Sequence, residues 1–291
     1  MAPVWLAQEL NLYKKHGLDA ELVYVGGSTV ATRALLTGDL DITVNSGLSV
    51  VNAAGTGASD IVLIAGISNV PPFYLMAKGG TTTADLNGKV IGTDKPGTAT
   101  YHALMLALKH LNLTPRNVRI APVGPPPTTL SAMEQGLVDA GILSPPISFR
   151  AESLGFQNLV DIASLGIHSQ EICITTTRAF IRDHREGVLR FMKAFVEAIY
   201  VYKSDQETSV RVLEKYTRIP DKKILERTRQ YYALKIIPQV PYPTREGLLA
   251  VVKEQAAINP AVASVKVDDL IDNSFLTELE KSGFVQTLYK K

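Results

Sequence analysis

Hydroxyl-bearing and small side chains crowd one stretch of the sequence, between a strand-like segment and a helix-like one. Lys89–Thr93 is short and apolar at its centre, and leucines at helical spacing follow from Leu104. The N–H groups and the dipole of a helix N-terminus favour an anion, and small residues let it approach closely. The pattern predicts an anion-binding site here, although ordinary hydroxyl capping of the helix would look the same. The candidate residues are Lys95, Gly97, Thr98, Ala99, Thr100 and Tyr101.

Further polar candidates stand where other predicted strands end or where the chain would cross between lobes. In open α/β sheets, ligands bind outside the carboxyl ends of the strands, which makes these positions candidates for ligand contacts. Each of them could instead belong to a solvated turn, and an aromatic candidate could pack in the core. The candidates are Gly27, Ser28, Thr29, Asn45, Ser46, Ser68, Asn69, Phe73, Ser144, Pro145, His168, Gln170 and Tyr242.

Motifs of catalysis are missing from the sequence. Gly66–Val70 lacks the second glycine of a nucleophile elbow, and no two histidines stand at the spacing of a helical metal site. The chain has a single cysteine, Cys173, which excludes an internal disulfide and a thiolate metal cluster. We therefore expect no catalytic residue, no metal and no cofactor.

Composition narrows the class of protein further. A net charge of +2 with 20% charged residues gives no basic stripe for nucleic acid. The longest apolar stretches, such as Phe191–Tyr202, are much shorter than the ~20 residues needed to cross a bilayer. A chain of 291 residues is near the size at which one hydrophobic core divides into two. A two-lobed globular protein that does not bind nucleic acid is the expectation.

The first part of the chain predicts a helix that includes Leu6 and Leu10, a strand at 20–25, a helix at 29–36 and a strand at 41–44, and this order recurs about a hundred residues later. Gly38 matches Gly136 and Asp41 matches Asp139 in this comparison. Duplication would produce the match, and so would two similar strand-helix units with similar caps. Both interpretations predict two similar α/β lobes. Because the second unit opens with a strand and the first does not, we expect a further strand and loop ahead of residue 1.

Two crossings of the chain separate the predicted lobes. Phe73–Lys78 is strand-like, and the glycines and threonines of 79–83 are typical of a crossing segment. Glu171–Thr176 is rich in β-branched residues and would be the return strand. The fold class is α/β, with two lobes, each a mainly parallel sheet flanked by helices, and a two-strand hinge. The expected lobes are 1–78 with 178–291, and 79–177.

Strings along essentially the whole chain carry a resemblance to a known family. They are Ala2–Glu9, Leu12–Asp19, Leu35–Asp41, Asp85–Gly92, Pro96–Thr98 and Gly136–Ala140. In these strings the chain resembles the nitrate, sulfonate and taurine type of ABC substrate-binding proteins, which are also grouped with binders of thiamine-pyrimidine precursors. The resemblance implies a type II periplasmic-binding fold in which a ligand is held between the lobes by hinge closure.

The same resemblance implies a function, a location and partners. The solute would be small and anionic: a sulfonate, a carboxylate, or a nitrate-like or pyrimidine-like compound. A monomeric receptor would deliver it to an ABC permease and ATPase complex from a periplasmic or extracytoplasmic location, after removal of a leader peptide. Relatives often carry an acidic residue before the proline that Pro145 matches. Ser144 stands there in this chain, which disfavours a ligand with an amine.

Two other function classes stay open at this point. An enzyme similar to the pyrimidine-precursor synthases of the same fold would need a cysteine-rich metal cluster, and one cysteine argues against it. A ligand-sensing effector domain of a transcriptional regulator would need a helix-turn-helix ahead of lobe one, and the sequence shows none.

Overall fold

A computed structural model describes residues 2–96 and 98–290 of the chain. Its internal contacts divide it into two compact units. Unit 1 is Met1–Asn69 with His168–Lys291, and unit 2 is Val70–Ile167. The chain therefore leaves unit 1 once and returns to it once, as the sequence predicts.

Strands and helices alternate through the first two thirds of the chain, and helices follow. The strands are β1 Thr43–Asn45, β2 Ile61–Ser68, β3 Tyr74–Lys78, β4 Val90–Thr93, β5 Arg119–Pro122, β6 Ala140–Leu143, β7 Phe156–Asp161 and β8 Ile172–Thr177. The helices are α1 Ala2–Glu9, α2 Leu12–Lys15, α3 Ser28–Thr37, α4 Gly47–Gly55, α5 Ala99–His110, α6 Pro126–Glu134, α7 Ile147–Ser153, α8 Arg178–Ser204, α9 Gln206–Thr217, α10 Lys222–Tyr231, α11 Arg245–Ala256, α12 Ser274–Lys281 and α13 Phe284–Tyr289. Short 3₁₀ turns lie at Thr83–Leu86, Ile162–Leu165, Pro260–Ser264 and Val267–Leu270, and a π-helical turn at Tyr232–Ile236.

The sheet of unit 1 has the order β1-β8-β2, and β8 runs antiparallel to both neighbours. Asn45 lies opposite Cys173, and Ser68 lies opposite Ile172. Every residue of β2 is buried, as its nearly unbroken apolar sequence predicts for a strand covered on both faces. The register brings the carboxyl ends of β1 and β2 to the same edge of the sheet as the start of β8.

The long helix α8 packs against this sheet and against α1 in the main hydrophobic core of unit 1. Its apolar residues recur every three or four positions, so that one face is buried. The Thr177 hydroxyl caps its first turn by accepting a hydrogen bond from the backbone N–H of Phe180 at 3.1 Å. The buried face includes Phe191, Phe195, Ile199 and Tyr202.

The sheet of unit 2 has the order β5-β4-β6-β3-β7. β4 is parallel to β5 and β6, whereas β3 is antiparallel to β6 and β7. Side chains alternate between the faces of a strand, and β4 shows this clearly. Ile91 packs in one hydrophobic cluster with residues of α5, and Gly92, on the other face, lies against Thr129 of α6. α5 and α6 therefore cover opposite faces of the sheet.

Three expectations from the sequence differ from the structure. The predicted strand at 20–25 is not a strand, because Val23 and Tyr24 are 59% and 90% exposed and no neighbouring strand pairs with the segment among the described residues. β3 was expected in lobe one and β8 in lobe two, but their pairing places β3 in the sheet of unit 2 and β8 in that of unit 1. Neither sheet is mainly parallel: the pairings in unit 1 are antiparallel and the sheet of unit 2 is mixed, because the crossing strands β8 and β3 run against their neighbours.

Candidate ligand-binding site

The carboxyl ends of several strands meet at one edge of the unit 2 sheet. β4, β6 and β7 run in the same direction, so Thr93, Leu143 and Asp161 end at this edge, and the antiparallel β3 begins there at Tyr74. The loops that leave this edge lead into α5, α6 and α7. Most of the unit 2 residues predicted from the sequence lie in these loops or in the first turns of these helices.

The N-terminus of α5 carries a pair of hydroxyl groups. Thr98 caps the helix, accepting a long hydrogen bond of 3.4 Å from the backbone N–H of Tyr101 and donating one of 2.8 Å to the Lys95 carbonyl. The hydroxyl of Thr100, a buried residue, lies 3.2 Å from that of Thr98. Lys95 itself is exposed, Ala99 and Tyr101 are half-buried, and Gly97 lies outside the described residues.

This arrangement suits an anion for physical reasons. The first N–H groups of an α-helix have no partner within the helix, and the helix dipole places partial positive charge beside them. α5 has 12 residues, long enough for both effects to be present at its first turn. Neutral hydroxyl groups add donors that do not titrate near neutral pH. The sequence prediction of hydroxyls at a helix N-terminus therefore corresponds to the observed geometry.

The other unit 2 candidates lie at the ends of β6 and β3. Ser144 is half-buried and its carbonyl accepts a hydrogen bond of 3.1 Å from the N–H of Ser148. Pro145 is buried and is joined to Pro146 by a cis peptide bond. Phe73 is 8% exposed and belongs to the hydrophobic cluster that packs against α5. Two roles were predicted for Phe73, ligand contact and packing in the core, and this position corresponds to packing in the core.

Six of the ten unit 1 candidates, Asn45, Ser46, Ser68, Asn69, Gln170 and Tyr242, form hydrogen bonds with one another in pairs. The Gln170 side chain is buried, and its amide donates to the Ser68 and Ile172 carbonyls at 3.3 and 3.1 Å. Its oxygen accepts the N–H of Thr244 at 2.8 Å. We call this network the Gln170 junction, and its members are Gly66, Ser68, Asn69, Gln170, Tyr242 and Thr244.

Tyr242 and Asn69 complete the junction. Asn69 donates from its side chain to the Tyr242 carbonyl at 3.2 Å, and the Tyr242 hydroxyl donates to a Glu280 carboxylate oxygen at 2.5 Å. Burial, and then the Glu280 carboxylate, raise the pKa of Tyr242 above its ordinary value. The amide oxygen of Asn69, Oδ1, is buried without a partner among the described residues. The predicted ligand residues Gln170 and Tyr242 are thus engaged within unit 1.

Asn45 and Ser46 hold neighbouring elements together. Asn45 donates to the Thr32 hydroxyl of α3 at 2.8 Å and accepts from the N–H of Ser46 at 2.9 Å. The Ser46 hydroxyl caps α4 by accepting from the N–H of Ser49 at 3.2 Å. The remaining unit 1 candidates are solvent-facing: Gly27, Thr29 and His168 are exposed, and Ser28 is half-buried.

Two buried hydroxyl groups at the unit 2 edge were missed by the sequence reasoning. Thr93, at the end of β4, and Ser148, in the first turn of α7, are both fully buried. Neither hydroxyl has a hydrogen-bond partner among the described residues. For Thr93 the sequence did contain a signal: a hydroxyl residue ends an apolar strand directly before the candidate loop. Ser148 had none, because it looks like any helical serine.

The described residues were also compared with the requirements of a metal site, a membrane span and a reactive thiol. No group of three or more His, Cys, Asp or Glu side chains in 2–96 and 98–290 is arranged to hold a metal ion. Within the same ranges, no helix has both the length and the apolar character of a membrane span. The Cys173 thiol is buried in β8, and burial raises its pKa far above the ordinary value. It is therefore not a reactive thiolate at neutral pH.

Solved structures define the class of fold. The periplasmic aliphatic sulphonate binding protein SsuA of Escherichia coli matches with a TM-score of 0.79 and 19% identity over 93% of this chain and 88% of that one. The desulfurization enzyme DSZB matches with a TM-score of 0.73 and 14% identity over 96% of both chains. The chain has the fold of the periplasmic binding proteins, a fold that enzymes also use.

Sequence comparison then gives the family. A family profile described as NMT1/THI5 like matches residues 1–209, and the chain belongs to this family. A relative in Brachyspira hyodysenteriae, named as an ABC transporter periplasmic binding protein, is 26% identical over 72% of this chain. The match spans 64% of that relative's length, a little less than two thirds. The family resemblance predicted from the sequence is confirmed.

Proposed function

We propose that this chain is the solute-binding component of an ABC importer, and that its solute is a small organic anion. The observation that carries the proposal is the N-terminus of α5, where the Thr98 and Thr100 hydroxyls lie 3.2 Å apart at the edge of the unit 2 sheet. The name of the Brachyspira relative supports the transport role. The name of SsuA supports a sulfonate as the first solute to test.

The neutral side chains at the first turn of α5 and at Ser144 also support an anion that lacks an amine, and the carboxylates of this edge, Asp94 and Asp161, lie outside that turn. Ser144 ends β6 where an acidic residue would favour an ammonium group, and its side chain is neutral. The first turn of α5 contains no carboxylate. A sulfonate or carboxylate oxygen would accept hydrogen bonds from hydroxyl and N–H donors, and the helix dipole would add to their strength. An ammonium would meet the same donors unfavourably.

The rest of the proposed function follows from the family. The solute would be held between the two units and released to a permease and ATPase complex in the membrane, with the receptor acting as a monomer in the periplasm. Hinge movement at the two crossings would supply the difference in affinity between open and closed forms. The lower-ranked function, an enzyme, is suggested by the fold likeness to DSZB. Nucleophilic catalysis by a thiol is disfavoured because Cys173 is buried.

The test is binding of defined solutes by titration calorimetry and thermal unfolding. The panel is ethanesulfonate, benzenesulfonate, acetate, nitrate, orotate and taurine, with choline as a cation of similar size. We expect one anion class to bind and to raise the unfolding temperature by several degrees, since saturation at ~100 times Kd adds about 2.7 kcal/mol. Taurine should bind less well than ethanesulfonate. The bound solute, recovered and analysed by mass spectrometry, should be unchanged.

A pair of variants ties the binding to the proposed site. Thr100→Val removes one hydroxyl from the first turn of α5 and should weaken binding about tenfold or more. Thr228→Val removes an equally buried hydroxyl from α10, in unit 1, and should leave affinity unchanged. Binding of choline alone would overturn the anion assignment. Conversion of a solute to product would replace the receptor role by an enzymatic one.

A further inference from the structure

The Thr93 hydroxyl at the unit 2 edge is unusual among the polar groups of this chain. Thr93 is fully buried, and its hydroxyl has no hydrogen-bond partner among the described residues. Other fully buried threonines do have partners: the Thr175 hydroxyl bonds with that of Thr43 at 2.8 Å, and the Thr129 hydroxyl donates to the Gly124 carbonyl at 2.9 Å. A buried hydroxyl without a partner is destabilising, so its presence requires an explanation.

Alternation along β4 determines where this hydroxyl points. Ile91 and Thr93 are two residues apart on the strand and therefore share a face. Ile91 belongs to the same buried hydrophobic cluster as Ala103 and Leu104 of α5. Thr93 is thus on the α5 face, one step further toward the carboxyl end of the strand, where the helix begins. Alternation therefore directs its side chain toward the start of α5.

We propose that the Thr93 hydroxyl is a ligand-binding donor, which completes an oxyanion site with the first turn of α5. The site takes the acidic head group of a small organic solute, a sulfonate or a carboxylate. Two independent features meet there: a 12-residue helix whose N-terminal N–H groups point outward, and a fully buried hydroxyl without a partner. The hydroxyls of Thr98 and Thr100 flank them.

The three threonines have different roles in this arrangement. The Thr98 hydroxyl is committed to the cap, because it accepts from Tyr101 and donates to the Lys95 carbonyl. A hydroxyl has one proton, so Thr98 cannot donate to a ligand while it donates to Lys95, and Thr100, the donor to Thr98 in the 3.2 Å pair, donates to a ligand only by turning its proton away from Thr98. Thr93 has its proton free for the ligand. Because the donors are neutral, the site would bind head groups that are ionised at the working pH and would discriminate against neutral esters and amides of the same acid.

The inference rests on the proposed function, and the experiment separates the two. Thr93→Val replaces the hydroxyl by a methyl group of nearly the same size, and Thr93→Ser keeps the hydroxyl. The probes are ethanesulfonate, benzenesulfonate and acetate, measured by titration calorimetry on the whole chain. We expect Thr93→Val to bind its best probe about tenfold or more weakly, with Thr93→Ser close to the unchanged protein. Thr228→Val again serves as the control.

A second measurement, thermal unfolding without ligand, should show no loss of stability in the variant that loses affinity. Without ligand, Thr93→Val should unfold at the same temperature as the unchanged protein or at a higher one, because the substitution removes an unpartnered buried hydroxyl. A merely structural threonine would lose stability and affinity together. Equal affinity of Thr93→Val and the unchanged protein would overturn this inference and leave the proposed function in place. Failure of the unchanged protein to bind any of the probes would overturn both.

Discussion

The polar groups at the sheet edges of the two units differ in how they are hydrogen-bonded. In unit 1, the Gln170 amide bonds to Ser68, Ile172 and Thr244, and one polar atom of the Gln170 junction, Oδ1 of Asn69, is buried without a partner among the described residues. In unit 2, the hydroxyls of Thr93 and Ser148 are buried at the corresponding edge without partners among the described residues. Both edges contain the residue types that the sequence marks as ligand candidates.

Candidate residues whose polar groups already bond within the protein hold its elements together. Candidate residues whose polar groups have no such partner can still bond to a ligand. A buried polar group within a network contributes to stability and is costly to remove, whereas one without a partner lowers stability until a ligand supplies one. We expect substitutions at the unit 1 edge to reduce stability first. Substitutions at the unit 2 edge should reduce affinity and leave stability almost unchanged.

The largest effect is expected from Gly66→Ala in the Gln170 junction. A Cβ atom at this position would lie 2.7 Å from the Tyr242 carbonyl oxygen and 2.8 Å from Oδ1 of Asn69, closer than real Cβ contacts. The N–H of Gly66 also donates to the Pro241 carbonyl at 2.6 Å, which fixes the backbone there. We expect a loss of about 3 kcal/mol in the free energy of unfolding, measured with urea.

Gly187→Ala is the matched control for this substitution. Gly187 lies inside α8, and a Cβ atom there meets nothing within 4 Å. Alanine favours the helix over glycine by up to about 1 kcal/mol, so this variant should be as stable as the unchanged protein or more stable. Equal stability of the two alanine variants would show that the junction is not tightly packed.

The next effect is expected from Gln170→Leu. Leucine has nearly the same size as glutamine but makes none of its hydrogen bonds, and the N–H of the half-buried Thr244 would lose its acceptor. We expect a loss of about 2 kcal/mol in the free energy of unfolding. Gln135→Leu, at an exposed position of unit 2, should change it by less than about 0.5 kcal/mol. If Gln170→Leu instead keeps its stability and loses solute binding, Gln170 is a ligand residue, as its sequence position predicts.

The sequence predicted the class of fold and the hydroxyl-bearing N-terminus of α5 for reasons that are local. Apolar runs such as Ile61–Ile67 and the hydroxyl pair at Thr98 and Thr100 depend on spacing within one element, and the family strings added the overall fold. The strand boundaries of the two units could not be predicted in this way. Whether β3 belongs to one sheet or the other depends on pairing with β6 and β7, which are distant in the sequence.

The roles of individual site residues were beyond the sequence for a related reason. Gln170 and Thr93 are both polar residues beside a predicted strand, and neither pattern shows whether its partners are present. The Gln170 side chain bonds to Thr244, a residue 74 positions away, whereas the Thr93 hydroxyl has no hydrogen-bond partner among the described residues. Hydrogen-bond satisfaction is a property of the tertiary structure, so it separates candidates that look equivalent along the chain.

Two hydroxyl substitutions, one at each edge, should give smaller changes in the free energy of unfolding. Thr32→Val removes the acceptor of the Asn45 amide in unit 1, and Ser148→Ala removes the unpartnered hydroxyl of α7 in unit 2. We expect Thr32→Val to lose about 1 kcal/mol in the free energy of unfolding and Ser148→Ala to change it by less than about 0.5 kcal/mol. Urea unfolding of both variants measures this. Equal losses would remove the distinction between the edges.

The smallest effect concerns alkaline pH, which should act on the unit 1 edge through Tyr242 and leave the neutral threonines of the unit 2 edge unaffected. Burial and the Glu280 carboxylate raise the pKa of Tyr242, so the folded chain keeps this proton at a pH where the unfolded chain has released it. The resulting stability is present below the ordinary tyrosine pKa of 10.0 and is lost as the pH rises through the raised value. Tyr242→Phe should therefore flatten the loss of stability above about pH 10 slightly, as measured by urea unfolding between pH 8 and 11.

Tyr24→Phe, at a side chain that is 90% exposed, should leave the slope of stability against pH unchanged. An unchanged slope in Tyr242→Phe would mean that the hydrogen bond to Glu280 does not hold the phenol proton, and this part of the unit 1 network would be weaker than its 2.5 Å distance indicates.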